Sequence, residues 1–207
     1  MDARIKFLGA VKSVTGSKYL LEIDSKRILV DCGLFQGQKE LRLRNWSKLP
    51  IDPNEIDVIV ITHAHIDHTG YLPRLVKDGY NGKIICTEAT KDLMSIMLPD
   101  AGKLQEEEAQ FAFKHGYSKH SKPEPLFGVA DAEMVLNMVV SQPMEKKIRL
   151  TDNVEVSFRN AGHILGAGLL EFYLTGNTQN KKIVFSGDLG REEDPIMYPP
   201  AKVSQAD

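Results

Sequence analysis

The 207-residue chain has only two cysteines, Cys32 and Cys86. Each sits in an apolar run, "ILVDCG" and "KIICTE", so each reads as a small buried side chain and no disulfide framework is expected. No apolar run approaches the length needed to cross a bilayer, and "MDARIKFLGA" lacks the apolar core of a secretion signal. A cytoplasmic, non-membrane protein is the expectation. Net charge is also small: 26 Lys and Arg against 28 Asp and Glu leave a formal −2. That excludes a strong global field toward nucleic acid or anionic lipid, so any nucleic-acid role must rest on a local patch. There is no internal repeat and no low-complexity segment. What remains, at 42 % hydrophobic and 26 % charged, is an ordinary globular composition.

The patterning alternates between two periods. "RIKFLG", "KYLLEI" and "KRILVDCG" read as strands, the last two joined by a tight "DSK" turn. The polar, basic stretch from Gln36 to Trp46 has an irregular helical pattern. "DVIVIT" is apolar up to its threonine, as a strand covered on both faces would be. "TGYLPRLVKDG" reads as a helix ending at Gly79, and "KIICT" as the next strand. Glu88 to His115 is helical in period, with Pro99 and Gly102 expected to break it into two pieces. "ADAEMVLNMV" is a further helix. "KKIRL", "NVEVSFRN", "GLLEFYL" and "KKIVFSG" return the chain to β, and the last nine residues read as a loop. Strands, βα units, helices and strands again predict a layered α/β domain with helices on both outer faces.

The segment "ITHAHIDHTG" concentrates polar side chains that a core has no use for. His63 and His65 are two apart, a spacing that shares a face only in extended backbone. Asp67 and His68 are adjacent and diverge unless the chain turns between them. One pair can hold one ion and the other pair a second nearby. Imidazole and carboxylate without thiolate is a zinc-type donor set. The cluster also follows the carboxyl end of a buried strand, where open α/β sheets bind ligands. Further donors are needed. "NAGHILGAG" supplies His163 and "VFSGDLGR" supplies Asp188, each just after a strand and flanked by glycine. A carboxylate such as Asp188 can bridge two cations about 3.5–4 Å apart. A lone His or Asp at a strand end is ordinarily a cap or a hydrogen-bonded core residue, but three separate segments end their strands in this way. Asp31 in "LVDCG" is expected behind the ligands, accepting hydrogen bonds that shape the metal loop. His115 and His120 read as solvated. "GAVKSVTGS" lacks the GK[ST] ending of a phosphate cradle and reads as an ordinary turn.

These residues resemble the metallo-β-lactamase superfamily. "HAHIDH" fits its H-x-H-x-D-H signature, with Asp31, His63 to His68, His163 and Asp188 in the order of its motifs. "VTGSKYLLE", "LVDCGLFQG", "TKDLMSIMLPDAGKLQEEEA" and "GHILGAG" are closer to its β-CASP branch of RNA-processing nucleases. The resemblance implies an αββα sandwich, two zinc ions and phosphodiester hydrolysis by water shared between the cations. By carry-over, His63, His65 and His163 hold the first ion, Asp67 and His68 the second, and Asp188 bridges. Asp67 is the catalytic candidate, orienting the attacking water.

In that branch a lid domain follows "SGDLG" and the chain returns with one more histidine for the second metal. The sequence stops at Asp207, before those parts. The expectation is therefore an N-terminal portion, residues 1–207 with a helical stretch at about 88–140, truncated before the lid. Its second metal site would be short of one ligand, and alone it would be weak or inactive. The expected partner is an RNA substrate, single-stranded, with a homodimer left open. Two other functions stay in view. One is a small-molecule hydrolase of the thioesterase, glyoxalase II or lactamase kind, and the other a metal-binding module without activity.

Overall fold

A computed structural model describes residues 2–176 and 179–207. The first three strands are β1 (Ala3–Phe7), β2 (Tyr19–Ile23) and β3 (Lys26–Val30), paired antiparallel. From β3 onward the pairing is parallel, through β4 (Val58–Val60), β5 (Lys83–Thr87) and β6 (Val139–Gln142), in the order β1-β2-β3-β4-β5-β6. A second sheet is wholly antiparallel, with β7 (Ile148–Thr151), β8 (Val154–Asn160), β9 (Gly168–Leu174) and β10 (Lys181–Phe185) in the order β10-β9-β8-β7.

Alternation along the strands divides the core in two. Leu21, Ile28, Val30 and Val60 point inward to meet Val156, Phe158, Leu170 and Phe172 of the second sheet. Leu29, Ile59, Ile61 and Ile84 point the other way, onto the helices. The central parallel strands are thus apolar on both sides because both sides are covered.

The helices on that outer face are α1 (Lys39–Arg44), α2 (Ile66–Thr69), α3 (Leu72–Lys77), α4 (Glu88–His115) and α5 (Val129–Met138). Among the described residues no helix lies on the outer face of the second sheet, so only one of the two expected helical layers is present here. Three other expectations need correction. α4 is one 28-residue helix with Pro99 inside it, not two pieces. Gly102 is there for packing, not for a break: a Cβ on it would meet the backbone of Gly128 and Val129, where α5 begins. The helix expected over "TGYLPRLVKDG" is two short ones, α2 starting inside the histidine motif and α3 carrying Pro73 in its first turn, where its missing N–H costs nothing. β6 was not foreseen, because it follows α5 with no intervening loop and has only four residues.

Candidate metal centre

The topology gathers the polar segments at one rim. Asp31 follows β3 and the histidine motif follows β4, and these strands are parallel neighbours, so both carboxyl ends lie on the same side. β8 and β10 each pair antiparallel with β9, so they run the same way and place His163 and Asp188 together. The two sheets are joined at this rim by the Gly168 N–H donating to the Thr62 carbonyl at 2.9 Å. Two close backbone approaches need glycine. A Cβ on Gly33 would collide with the Asp67 carbonyl, and one on Gly190 with the Gly162 carbonyl beside His163.

Four side chains converge. The metal-capable atoms of His63, His65, His163 and Asp188 all lie within 4.8 Å of one another. His65 Nδ1 is 3.1 Å from His63 Nε2 and 3.1 Å from His163 Nε2. Asp188 Oδ2 is 3.5 Å from His163 Nε2 and 3.8 Å from His63 Nε2. A tetrahedral zinc with nitrogen ligands at about 2.0–2.1 Å keeps them about 3.3 Å apart, so the donor set fits such an ion. The other Asp188 oxygen, Oδ1, faces His68 Nε2 at 3.4 Å, and Asp67 Oδ2 is 3.8 Å from the same nitrogen. The carboxylate of Asp188 therefore lies between two donor groups, one oxygen toward each.

Behind the histidines is a buried network. Asp31, 1 % exposed, takes the left-handed backbone conformation (φ 56°) that turns its carboxylate under the loop. Oδ1 accepts from the Thr62 N–H at 2.8 Å, and Oδ2 accepts from His68 Nδ1 at 2.8 Å and from the Thr62 hydroxyl at 2.9 Å. With its proton given to Asp31, Thr62 Oγ1 accepts from His63 Nδ1 at 3.0 Å. Both rings are then fixed with Nδ1 protonated and Nε2 facing the centre. Burial, then the neighbouring histidines, push the His63 pKa down to about 2. Burial and His163 also lower that of His65. For His68 burial lowers the value, but the hydrogen bond and charge of Asp31 outweigh it and the net shift is upward.

Asp31 thus lies against His68 and Thr62, not among the converging atoms. Cys32 and Cys86 are buried and free, their thiols pushed up to about 12 by burial. His115 and His120 are exposed. Three contributors escaped sequence reading. Thr62 is one; its only signal is its place directly before His63. Lys18 is another: it is 2 % exposed, donates to the Gly33 carbonyl and lies over the rings of Tyr71 and Phe35 at 4.6 and 4.8 Å. Burial lowers its pKa to about 8. The third is the "GAVKSVTGS" loop, read as an ordinary turn, whose Ala10, Ser13 and Val14 border the cleft beside His68 and Asp188.

The Metallo-beta-lactamase superfamily profile matches residues 14–206. The chain belongs to the metallo-beta-lactamase superfamily. It is 35 % identical over 204 residues to Ribonuclease TTHA0252 of Thermus thermophilus, covering 99 % of this chain and 42 % of that protein. With the cleavage and polyadenylation specificity factor 73 of Drosophila melanogaster it shares 32 % identity over 192 residues, 92 % of this chain and 25 % of the other. The chain therefore spans less than half the length of these relatives. Among solved structures, BJP-1, a subclass B3 metallo-beta-lactamase of Bradyrhizobium japonicum, superposes with a TM-score of 0.52 at 19 % identity, over 90 % of this chain and 60 % of that one. That likeness shows the fold. Family and donor cluster together imply metal ions at this rim. No helix among the described residues is long and apolar enough to cross a membrane.

Proposed function

We propose that this chain is the metal-holding part of a zinc-dependent nuclease that hydrolyses phosphodiester bonds in single-stranded RNA. The observation that carries the reading is the likeness to a protein named as a ribonuclease over 99 % of the chain, with every donor of the motif present and converging. His63, His65 and His163 hold the first ion, His68 and Asp67 the second, and Asp188 offers one oxygen to each. Asp31 and Thr62 position the rings. When bound, two such cations lower the pKa of a shared water and neutralise charge developing on the phosphoryl oxygens.

The protein's own part is then definite. Thr62 and Asp31 hold Nδ1 of His63 and His68 and so aim each Nε2 at the centre. Asp67 would orient the attacking water by accepting a hydrogen bond from it. The second group draws fewer donors from the described residues than the first, so it is the weaker binder. The test is cleavage of a labelled single-stranded RNA, beside a thioester and a lactam, with metal content measured on the same preparation. Metal-dependent cutting of RNA, abolished in Asp67→Ala, supports the reading. Turnover of the thioester or lactam with RNA left intact replaces it by the small-molecule hydrolase. Because the chain by itself is expected to be a weak enzyme, the RNA arm is run with protein in excess over RNA, and metal binding with no cutting even then replaces it by a binding module.

A further inference from the structure

The formal charge of −2 hides one segment of opposite character. From Ala109 to Pro123 there are three lysines, Lys114, Lys119 and Lys122, two histidines and no carboxylate. The same segment exposes its aromatic rings: Phe111 is 55 %, Phe113 63 % and Tyr117 75 % exposed. They are arranged, not scattered. The His115 ring lies 4.3 Å from that of Phe111 and 5.8 Å from that of Tyr117, nearly parallel to the latter at 24°.

This cluster continues a stripe whose other end lines a groove shared with Ile66 of the histidine motif. Leu104, Glu108, Phe111 and His115 follow one another at steps of four, three and four, which places them on one face of α4. Leu104 and Glu108 line a groove of about 550 Å³ together with Trp46 and Arg42 from the α1 region and Ile66. Ile66 stands between His65 and Asp67 in the chain. Trp46, the single tryptophan, is 52 % exposed there. From Leu104 to His115 the helix rises about 16 Å, the span of about five stacked nucleotides at roughly 3.4 Å each.

We propose that the stripe of α4 from Leu104 to Tyr117, with Trp46 across the groove, is a track for single-stranded RNA leading to the His63–Asp188 cluster. The proposal rests on the nuclease reading. Exposed rings offer stacking faces that any base can use, and lysines flanking them offer cations to the backbone between bases. Single-stranded nucleic acid is the polymer that presents both flat apolar faces and regular negative charge. Glu107, one turn before Phe111, is paired with Lys103 at 3.9 Å, which leaves Glu108 as the carboxylate of this face that lines the groove. Glu108 keeps phosphate off the middle of the groove, so the strand lies there with bases toward α4 and phosphates toward Arg42.

The test uses the full chain in an Asp67→Ala background, so that the strand is not cut. A fluorescein-labelled 12-nucleotide oligouridylate is titrated and read twice, by anisotropy and by Trp46 fluorescence. The track predicts Trp46 quenching that saturates at the same concentration as the anisotropy. Phe111→Ala and Tyr117→Ala should each weaken binding by about 5- to 150-fold. Lys114→Gln and Lys119→Gln should each flatten the slope of log affinity against log salt by about 0.7. Glu108→Gln should tighten binding. All are exposed or partly exposed positions, and circular dichroism checks each fold. No binding, binding without a Trp46 response, or affinity indifferent to the ring and lysine variants overturns the track. Cleavage by the unsubstituted chain is read separately. A chain that cuts RNA but ignores these variants keeps the nuclease and loses the track, and one that binds through the track but cuts nothing does the reverse.

Discussion

The two halves of the metal centre are built differently. On the side of the first sheet, the side chains of His63, His68 and Asp31 are 1 %, 4 % and 1 % exposed, and each is held by hydrogen bonds to another buried group. On the side of the second sheet, His163 is 26 % and Asp188 44 % exposed, and their recorded side-chain partners are the other converging groups. One half is fixed by the fold. The other is placed near its target by a loop and needs a cation to hold it. Folding has to satisfy the polar groups it buries, whereas an exposed carboxylate can wait in water until an ion arrives. The metal should therefore order the second half and leave the first where it is.

Substitutions can break that contrast, and their effect on the metal-free protein should rank by half. Asp31→Ala is the largest. It leaves Thr62 and His68 buried without their acceptor, and loss of one partner of such a pair costs about 3–5 kcal/mol. Chelator-treated protein should show this in urea denaturation, and metal affinity should fall about 10- to 100-fold as the rings lose their orientation. Thr62→Val comes next, at about 1–3 kcal/mol, because it strands acceptors on Asp31 and the Nδ1–H of His63. Asp188→Asn should be smallest, within about 0.5 kcal/mol in the metal-free protein, while still abolishing the thermal stabilisation that zinc gives the unsubstituted chain. If Asp188→Asn cost the metal-free fold as much as Asp31→Ala, the two halves would not differ as described.

Acid sharpens the same comparison. The His63 pKa is lowered to about 2, with burial as the largest cause, so the folded protein keeps this ring neutral where the unfolded chain protonates it. The stability this contributes is present above the unfolded value of about 6.5 and is lost progressively as pH falls below it. Metal-free protein should melt at lower temperature at pH 5 than at pH 7, and His63→Gln should reduce that difference. His68 works the other way, since its value is raised, and it offsets part of the loss. A melting temperature that rises on acidification would contradict the neutral assignment of His63.

Much of this was legible in the residues. The donors could be named because chemistry leaves local marks: three histidines and an aspartate in six positions, and glycine beside His163 and Asp188. The strands could be read because the central parallel ones are short continuous apolar runs and the outer ones alternate against the core. What escaped was set by distant partners. Pro99 and Gly102 look like breakers in isolation, and it is the close approach of the Gly128 backbone that requires glycine at 102. Lys18 stands just before β2 in a sequence that would suit an exposed side chain, yet its ammonium lies over the rings of Phe35 and Tyr71. Thr62 carries no mark beyond its neighbour, because its role depends on Asp31, 31 residues earlier.

The most direct measurement is nitrogen-detected NMR of the histidine rings in 15N-labelled protein, first with chelator and then with zinc added in steps. His115 and His120, exposed and distant in sequence from every proposed ligand, serve as internal references. Before zinc, His63 should show one fixed tautomer with the proton on Nδ1, and His68 should keep its Nδ1 protonated. On zinc addition His63, His65 and His163 should shift together, His68 should follow at higher zinc, and His115 and His120 should not move. Averaged tautomers at His63 and His68 in the metal-free protein would contradict the account of the buried half, and zinc that left His63, His65 and His163 unchanged would contradict the metal centre itself.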